Sequence, residues 1–120
     1  MRRLLRSWRS RVAVAGHSME PTLHDGDWLL VDPDAYRHLP PRVGDLVVAP
    51  DPRVSERLLV KRVARIEVDG ALALAGDHPA HSRLDVEQIP PLSGDELLGR
   101  PWFRYWPLPR IGRIRGPHHD

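Results

Sequence analysis

Leu58-Leu59-Val60-Lys61-Arg62-Val63-Ala64-Arg65-Ile66-Glu67-Val68, then Asp69-Gly70, then Ala71-Leu72-Ala73-Leu74-Ala75, reads as a β-hairpin. The first run is aliphatic and β-branched at strand spacing. Asp-Gly is a strong two-residue turn, and 71–75 returns antiparallel to 58–68. Working outward, short apolar runs at 12–15, 28–31, 46–49 and 102–106 read as further strands. They are separated by Asp25-Gly26-Asp27, Asp32-Pro33-Asp34, Pro40-Pro41 and Pro50-Asp51-Pro52. The stretch 76–94 reads as loop-rich, and 96–99 as a short turn. Thirteen prolines and nine glycines in 120 residues oppose long helices, and 120 residues are enough for one domain. The fold class expected is mostly β: a small antiparallel β-barrel-like core built from short hairpins.

Charge divides the chain in three. Residues 1–11 carry five arginines and no acid, residues 104–120 carry four arginines and one acid, and 12–103 hold nine basic and fifteen acidic residues. The expected organisation is a basic N-terminal arm (1–11), a folded domain (12–106) and a C-terminal tail (107–120). Arginine-rich ends suit a solvated arm, the acidic body of the protein itself or an anionic surface. Leu4, Leu5 and Trp8 among the arginines allow a weak peripheral membrane contact. No transmembrane segment is expected, since no run approaches the roughly 20 apolar residues that span a bilayer. The run 12–16 is also too short for the apolar core of a secretory signal. A soluble, cytoplasmic protein is the simplest expectation. With no cysteine, disulfides, cysteine-ligated metal and a cysteine nucleophile are excluded. No cofactor and no metal are expected. His78, His81 and Asp77 are loosely spaced with no third ligand evident, and His118-His119-Asp120 reads as a tail.

Lys61 is the single lysine beside seventeen arginines. A guanidinium keeps its proton in a protein, whereas a desolvated amine can lose it and act as a base. Alternation along 58–66 puts Leu59, Lys61 and Val63 on one face, so the lysine has aliphatic neighbours. Ser18 lies on a short turn between Gly16 and Pro21. A glycine permits the unusual backbone, a proline stiffens the exit, and a serine so presented can expose its hydroxyl beside free backbone N–H groups. A serine and a buried lysine together form a nucleophile that needs no histidine. His17 is adjacent in sequence to Ser18, and neighbours in extended chain point opposite ways. Trp102, Phe103, Tyr105 and Trp106 read as core and edge packing.

Gly16-His17-Ser18-Met19-Glu20-Pro21-Thr22-Leu23 closely resembles the nucleophile box of the type I signal peptidase family, G-x-S-M-x-P-T-L. Val43-Gly44-Asp45-Leu46-Val47-Val48 is similar to that family's G-D-[ILV]-V-V box. Leu59-Val60-Lys61-Arg62-Val63 resembles its lysine box. Gly76-Asp77-His78 with Ser82-Arg83 resembles its last box. The resemblance implies that Ser18 is the nucleophile, Lys61 the general base and later acid, and the Ser18 N–H an oxyanion donor. Gly16 would shape the turn and Met19 would pack beneath the site. The substrate would add as a strand beside 12–16 and offer a small side chain to a shallow apolar pocket.

The last box departs from the family pattern. His81 stands where an aspartate is expected, and about three residues are missing between Gly76 and Arg83. Ser82 is then the nearest candidate for the serine that hydrogen-bonds the lysine. No membrane anchor is expected, and Lys61 and Gly76 are too close for the large insertion the family often carries before the last box. Within the family, the chain is most similar to the small anchorless proteases that mature nickel-type superoxide dismutase, through Leu97-Leu98-Gly99-Arg100 and Trp102-Phe103-Arg104-Tyr105-Trp106-Pro107. That resemblance implies a serine endopeptidase that removes an N-terminal propeptide, with the nickel superoxide dismutase proenzyme as partner and no nucleic acid. Three other readings stand beside it. One is a self-cleaving repressor-like protein with a similar serine–lysine pair. The others are an inactive peptidase-like scaffold and a nucleic-acid-binding β-barrel using its arginine-rich ends.

Overall fold

A computed structural model of the protein describes residues 11–114. Most of the arm and the end of the tail, including Leu4, Leu5, Trp8 and His118-His119-Asp120, lie outside the described residues. Among the described residues, seven strands occur in the order β1 (Arg11–Ala13), β2 (Trp28–Asp32), β3 (Leu46–Pro50), β4 (Leu58–Ile66), β5 (Leu72–Ala75), β6 (Arg100–Trp106) and β7 (Gly112–Arg113). All pairings are antiparallel, in a four-stranded sheet β1-β2-β6-β7 and a three-stranded sheet β3-β4-β5. The expected mostly β class is what the structure shows. The two sheets do not close into one continuous ladder. They meet at a bridge between Val48 and Gly99, where the Val48 N–H donates to the Gly99 carbonyl (2.9 Å) and the Leu98 N–H to the Val48 carbonyl (2.7 Å). Gly99 has φ +152°, and a Cβ there would collide with the Asp32 carbonyl of β2, so glycine lets the chain entering β6 lie this close to its own sheet neighbour.

Two apolar sets are buried. Val12, Val14, Met19, Leu23, Leu29, Val31, Leu46 and Val48 form one cluster. Val47, Ala49, Val63, Leu72, Leu74 and Leu92 form the other. Strand β3 feeds both because its successive side chains point to opposite faces and all of 46–49 are buried. The central hairpin forms as read, with β4 against β5 and a register shift between Val63 and Arg65.

The structure differs from the sequence reading in three places. The loop-rich stretch contains a helix, α1 (Pro79–Gln88). Pro79 suits a first helical position, and Ala80, Arg83 and Leu84 are good helix formers. The aromatic run near the end packs less deeply than a core would: Phe103 and Tyr105 are half-buried, Trp102 and Trp106 are exposed, and Trp106 sits opposite the exposed Trp28 on the outer face of β2–β6. The chain after Trp106 does not leave the domain at once. A 3-10 turn (Leu108–Arg110) leads into β7, which pairs with β6, and Ile114 packs on the first core cluster.

Candidate active site

Ser18 is carried by the four-stranded sheet. The chain leaves β1 through Val14, whose N–H donates to the Asp27 carbonyl and whose carbonyl accepts from Gly26 (both 2.8 Å). Between these points lies a largely exposed loop. Gly16 turns the chain at φ +87°, and its N–H donates to Asp25 Oδ1 at 2.8 Å. The Glu20 N–H donates to the His17 carbonyl (3.2 Å) and the Leu23 N–H to the Met19 carbonyl (2.9 Å). Met19 and Leu23 point inward as buried anchors, and Ser18 is left half-buried.

Lys61 is carried by the three-stranded sheet, opposite Val47 in the β3–β4 register. The alternation is as read: Leu59, Lys61 and Val63 are 6, 7 and 1% exposed. Forty-three positions from the serine in sequence, Lys61 Nζ donates to Ser18 Oγ at 2.6 Å. Two residues singled out from sequence are therefore in direct contact across the two sheets.

Arg62, one position on and facing the other way, organises the surroundings. Its guanidinium forks onto Asp77, Nε to Oδ1 and Nη2 to Oδ2, both 2.7 Å, and Nη1 donates to the Gly44 carbonyl at 2.7 Å. Both side chains are almost fully withdrawn from water. The Thr22 hydroxyl donates to the same carboxylate at 2.6 Å, and the His78 N–H donates to the Ser18 carbonyl at 2.8 Å. The Gly76-Asp77-His78 stretch thus grips the serine loop directly. Ser82 lies on α1, half-buried, with its N–H on the His78 carbonyl (3.0 Å). Among the described residues its hydroxyl makes no hydrogen bond to Lys61.

A second grip closes the loop's far end. Asp27 is fully buried and accepts from Arg110 Nη2 (2.6 Å), Arg104 Nη1 (3.0 Å) and the His24 N–H (2.9 Å). Burial alone pushes its carboxyl up. The Arg110, His24 and Arg104 hydrogen bonds outweigh that and hold it below the ordinary carboxylate range. His17 turns away from the serine to Glu20, with Nδ1 2.9 Å from Oε2. The hydrogen bond to Glu20 raises the His17 imidazole, and the same bond lowers the Glu20 carboxyl. His78 and His81 meet ring edge to face at 5.3 Å. Among the described residues no group of three or more histidine or acidic side chains is gathered as for a metal ion.

Sequence reasoning singles out Ser18 and Lys61, which the structure brings together, but assigns no role to Thr22, Asp27, Arg104 or Arg110, and none to the Arg62–Asp77 pair. For Arg62 a signal existed: alternation places it on the face opposite Lys61. Asp27 sat in a Gly-Asp turn signal, which hides its burial.

The family model described as "Signal peptidase, peptidase S26" matches residues 4–72, more than half of the chain. The mitochondrial ATP-independent inner membrane protease subunit 1b of Arabidopsis thaliana is 30% identical, over 85% of this chain and 72% of that protein. No helix among the described residues is long and apolar enough to cross a membrane.

Proposed function

This chain belongs to the signal peptidase family, peptidase S26, and from that membership we propose that it is a serine–lysine endopeptidase with Ser18 as nucleophile and Lys61 as base. The observation that carries the proposal is the 2.6 Å contact between Lys61 Nζ and Ser18 Oγ at a buried lysine. With the amine neutral, the hydroxyl donates to Nζ through the same contact. Lys61 takes that proton as Oγ attacks the scissile carbonyl, and returns it to the leaving amine as the acyl-enzyme forms. Water then attacks the ester. Lys61 accepts the water's proton and hands it to Oγ as the acid departs. Among the described residues no acceptor takes the Ser18 N–H, which leaves it to stabilise the developing oxyanion.

The substrate is an extended segment at the N-terminus of a precursor protein. Among the described residues β1 is an edge of its sheet and leads straight into the Ser18 loop, which suits a peptide added as a further strand. We propose the nickel superoxide dismutase proenzyme as that precursor, on the resemblance of residues 97–107. The test incubates the proenzyme with wild type and with Ser18→Ala and reads the new N-terminus by mass spectrometry. Trimming by wild type alone supports substrate and nucleophile together. An untouched proenzyme removes this substrate.

A further inference from the structure

The grip on Asp27 asks for a role, because it ties the end of the chain to the loop that holds the nucleophile. Arg104 projects inward from β6. Besides Asp27, it donates through Nη1 to the Thr22 carbonyl (3.3 Å) and through Nε to the Arg110 carbonyl (2.6 Å). Arg110 comes from the 3-10 turn after β6 and closes on the other carboxylate oxygen of Asp27. Asp27 in turn holds the His24 N–H with its side chain and the Val14 N–H with its carbonyl. Apart from the Arg104–Arg110 contact, these connections end on the segment from Val14 to Asp27. Met19 and Leu23 are the only apolar side chains that loop buries between those ends, so apolar packing alone fixes it loosely along the sheet.

We infer that Arg104 and Arg110 are positioning residues for Ser18: by holding Asp27 they fix the nucleophile loop against Lys61, which makes the segment after β6 part of the active-site apparatus. The inference rests on the serine–lysine reading. Its physical basis is that a nucleophile displaced by about 1 Å can lose about 10²-fold in rate while substrate binding is spared. A buried carboxylate stripped of a partner also drives its surroundings to rearrange. Arg110 is the better handle, since its side chain is 40% exposed and contributes less to the core than Arg104.

Asp51 supplies a matched control. It too is a buried carboxylate held by arginines, Arg53 Nε at 3.0 Å and Arg57 Nε at 3.7 Å, but it lies just past the end of β3 and neither contact reaches the serine loop. Lys61, as the single lysine, supplies the reporter: selective 13C-lysine labelling of the full chain gives one side-chain NMR signal. The experiment compares that signal, the melting temperature and peptide-cleavage kinetics in wild type, Ser18→Ala, Arg110→Gln, Arg110→Lys and Asp51→Asn. The expected result is that Arg110→Gln moves the Lys61 signal as Ser18→Ala does and lowers kcat about tenfold or more, with KM within about twofold. Arg110→Lys restores part of both, and Asp51→Asn lowers the melting temperature without moving the signal. An unmoved signal and unchanged kcat in Arg110→Gln overturn the positioning role alone. An unmoved signal in Ser18→Ala overturns the serine–lysine contact and the inference with it. Equal movement in Asp51→Asn reduces the effect to general stability and also overturns it.

Discussion

The Ser18 loop and strand β4 deliver two side chains to one point, yet they are held by different physics. Lys61 sits in a strand with ladder partners on both sides, between Leu59 and Val63, and packing determines where it points. Ser18 sits in a largely exposed loop whose place depends on two carboxylates, Asp77 on one flank and Asp27 on the other. Packing is spread over many contacts and tolerates small losses. An ion-pair frame depends on a few atoms, and losing one leaves a charge without its counterpart.

That contrast can be sharpened by substitution. The largest effect is expected from Ser18→Ala, which should abolish cleavage while leaving the melting temperature near that of wild type; substantial residual cleavage would point to another nucleophile. Asp77→Ala comes next. It strands the Arg62 guanidinium and the Thr22 hydroxyl, so it should cost about 3–5 kcal/mol in denaturant unfolding and most of the activity. Leu74→Ala, in the core of the strand sheet, should cost a similar or smaller 2–5 kcal/mol. The folded fraction of that variant should keep its catalytic rate, and a proportional loss of kcat would erase the distinction between the two regions.

Acid should weaken the ion-paired frame of the Ser18 loop as well. Asp27 is held low against the pull of burial, and Asp51 is held low chiefly by its hydrogen bond from Arg53. A depressed carboxylate stabilises the fold fully above its unfolded value of about 3.9 and loses that contribution as pH falls through its lower folded value. Thermal melts between about pH 6 and pH 2 should therefore fall more steeply for wild type than for Asp27→Asn. Parallel curves would mean that the Asp27 frame adds no acid-sensitive stability.

The same contrast explains what was legible in the sequence. The hairpin from 58 to 75, the alternation around Lys61 and the turn at Gly16 follow from local periods and turn residues, and they appear in the structure. Arg110 and Asp27 are 83 positions apart, and an arginine–aspartate pair has no period that announces its partner. Helix α1 was missed for a local reason: Leu84, one of its few apolar residues, is exposed, so no buried stripe marks the segment. Aromatic content cannot tell core from edge packing: β6 turns Trp102 and Trp106 outward and leaves Phe103 and Tyr105 half-buried.

The central claim is that Lys61 activates Ser18, and acylation tests it most directly. Wild type and Lys61→Arg would be treated with an activated alanyl ester, and the modified residue located by peptide mass spectrometry. Arginine keeps the charge and much of the length but cannot accept the proton. The account predicts an acyl group on Ser18 in wild type, forming more slowly as pH is lowered. It predicts acylation slower by about 10²–10⁴-fold in a folded Lys61→Arg protein. Equal rates in the two proteins, or acylation at any residue but Ser18, would contradict it.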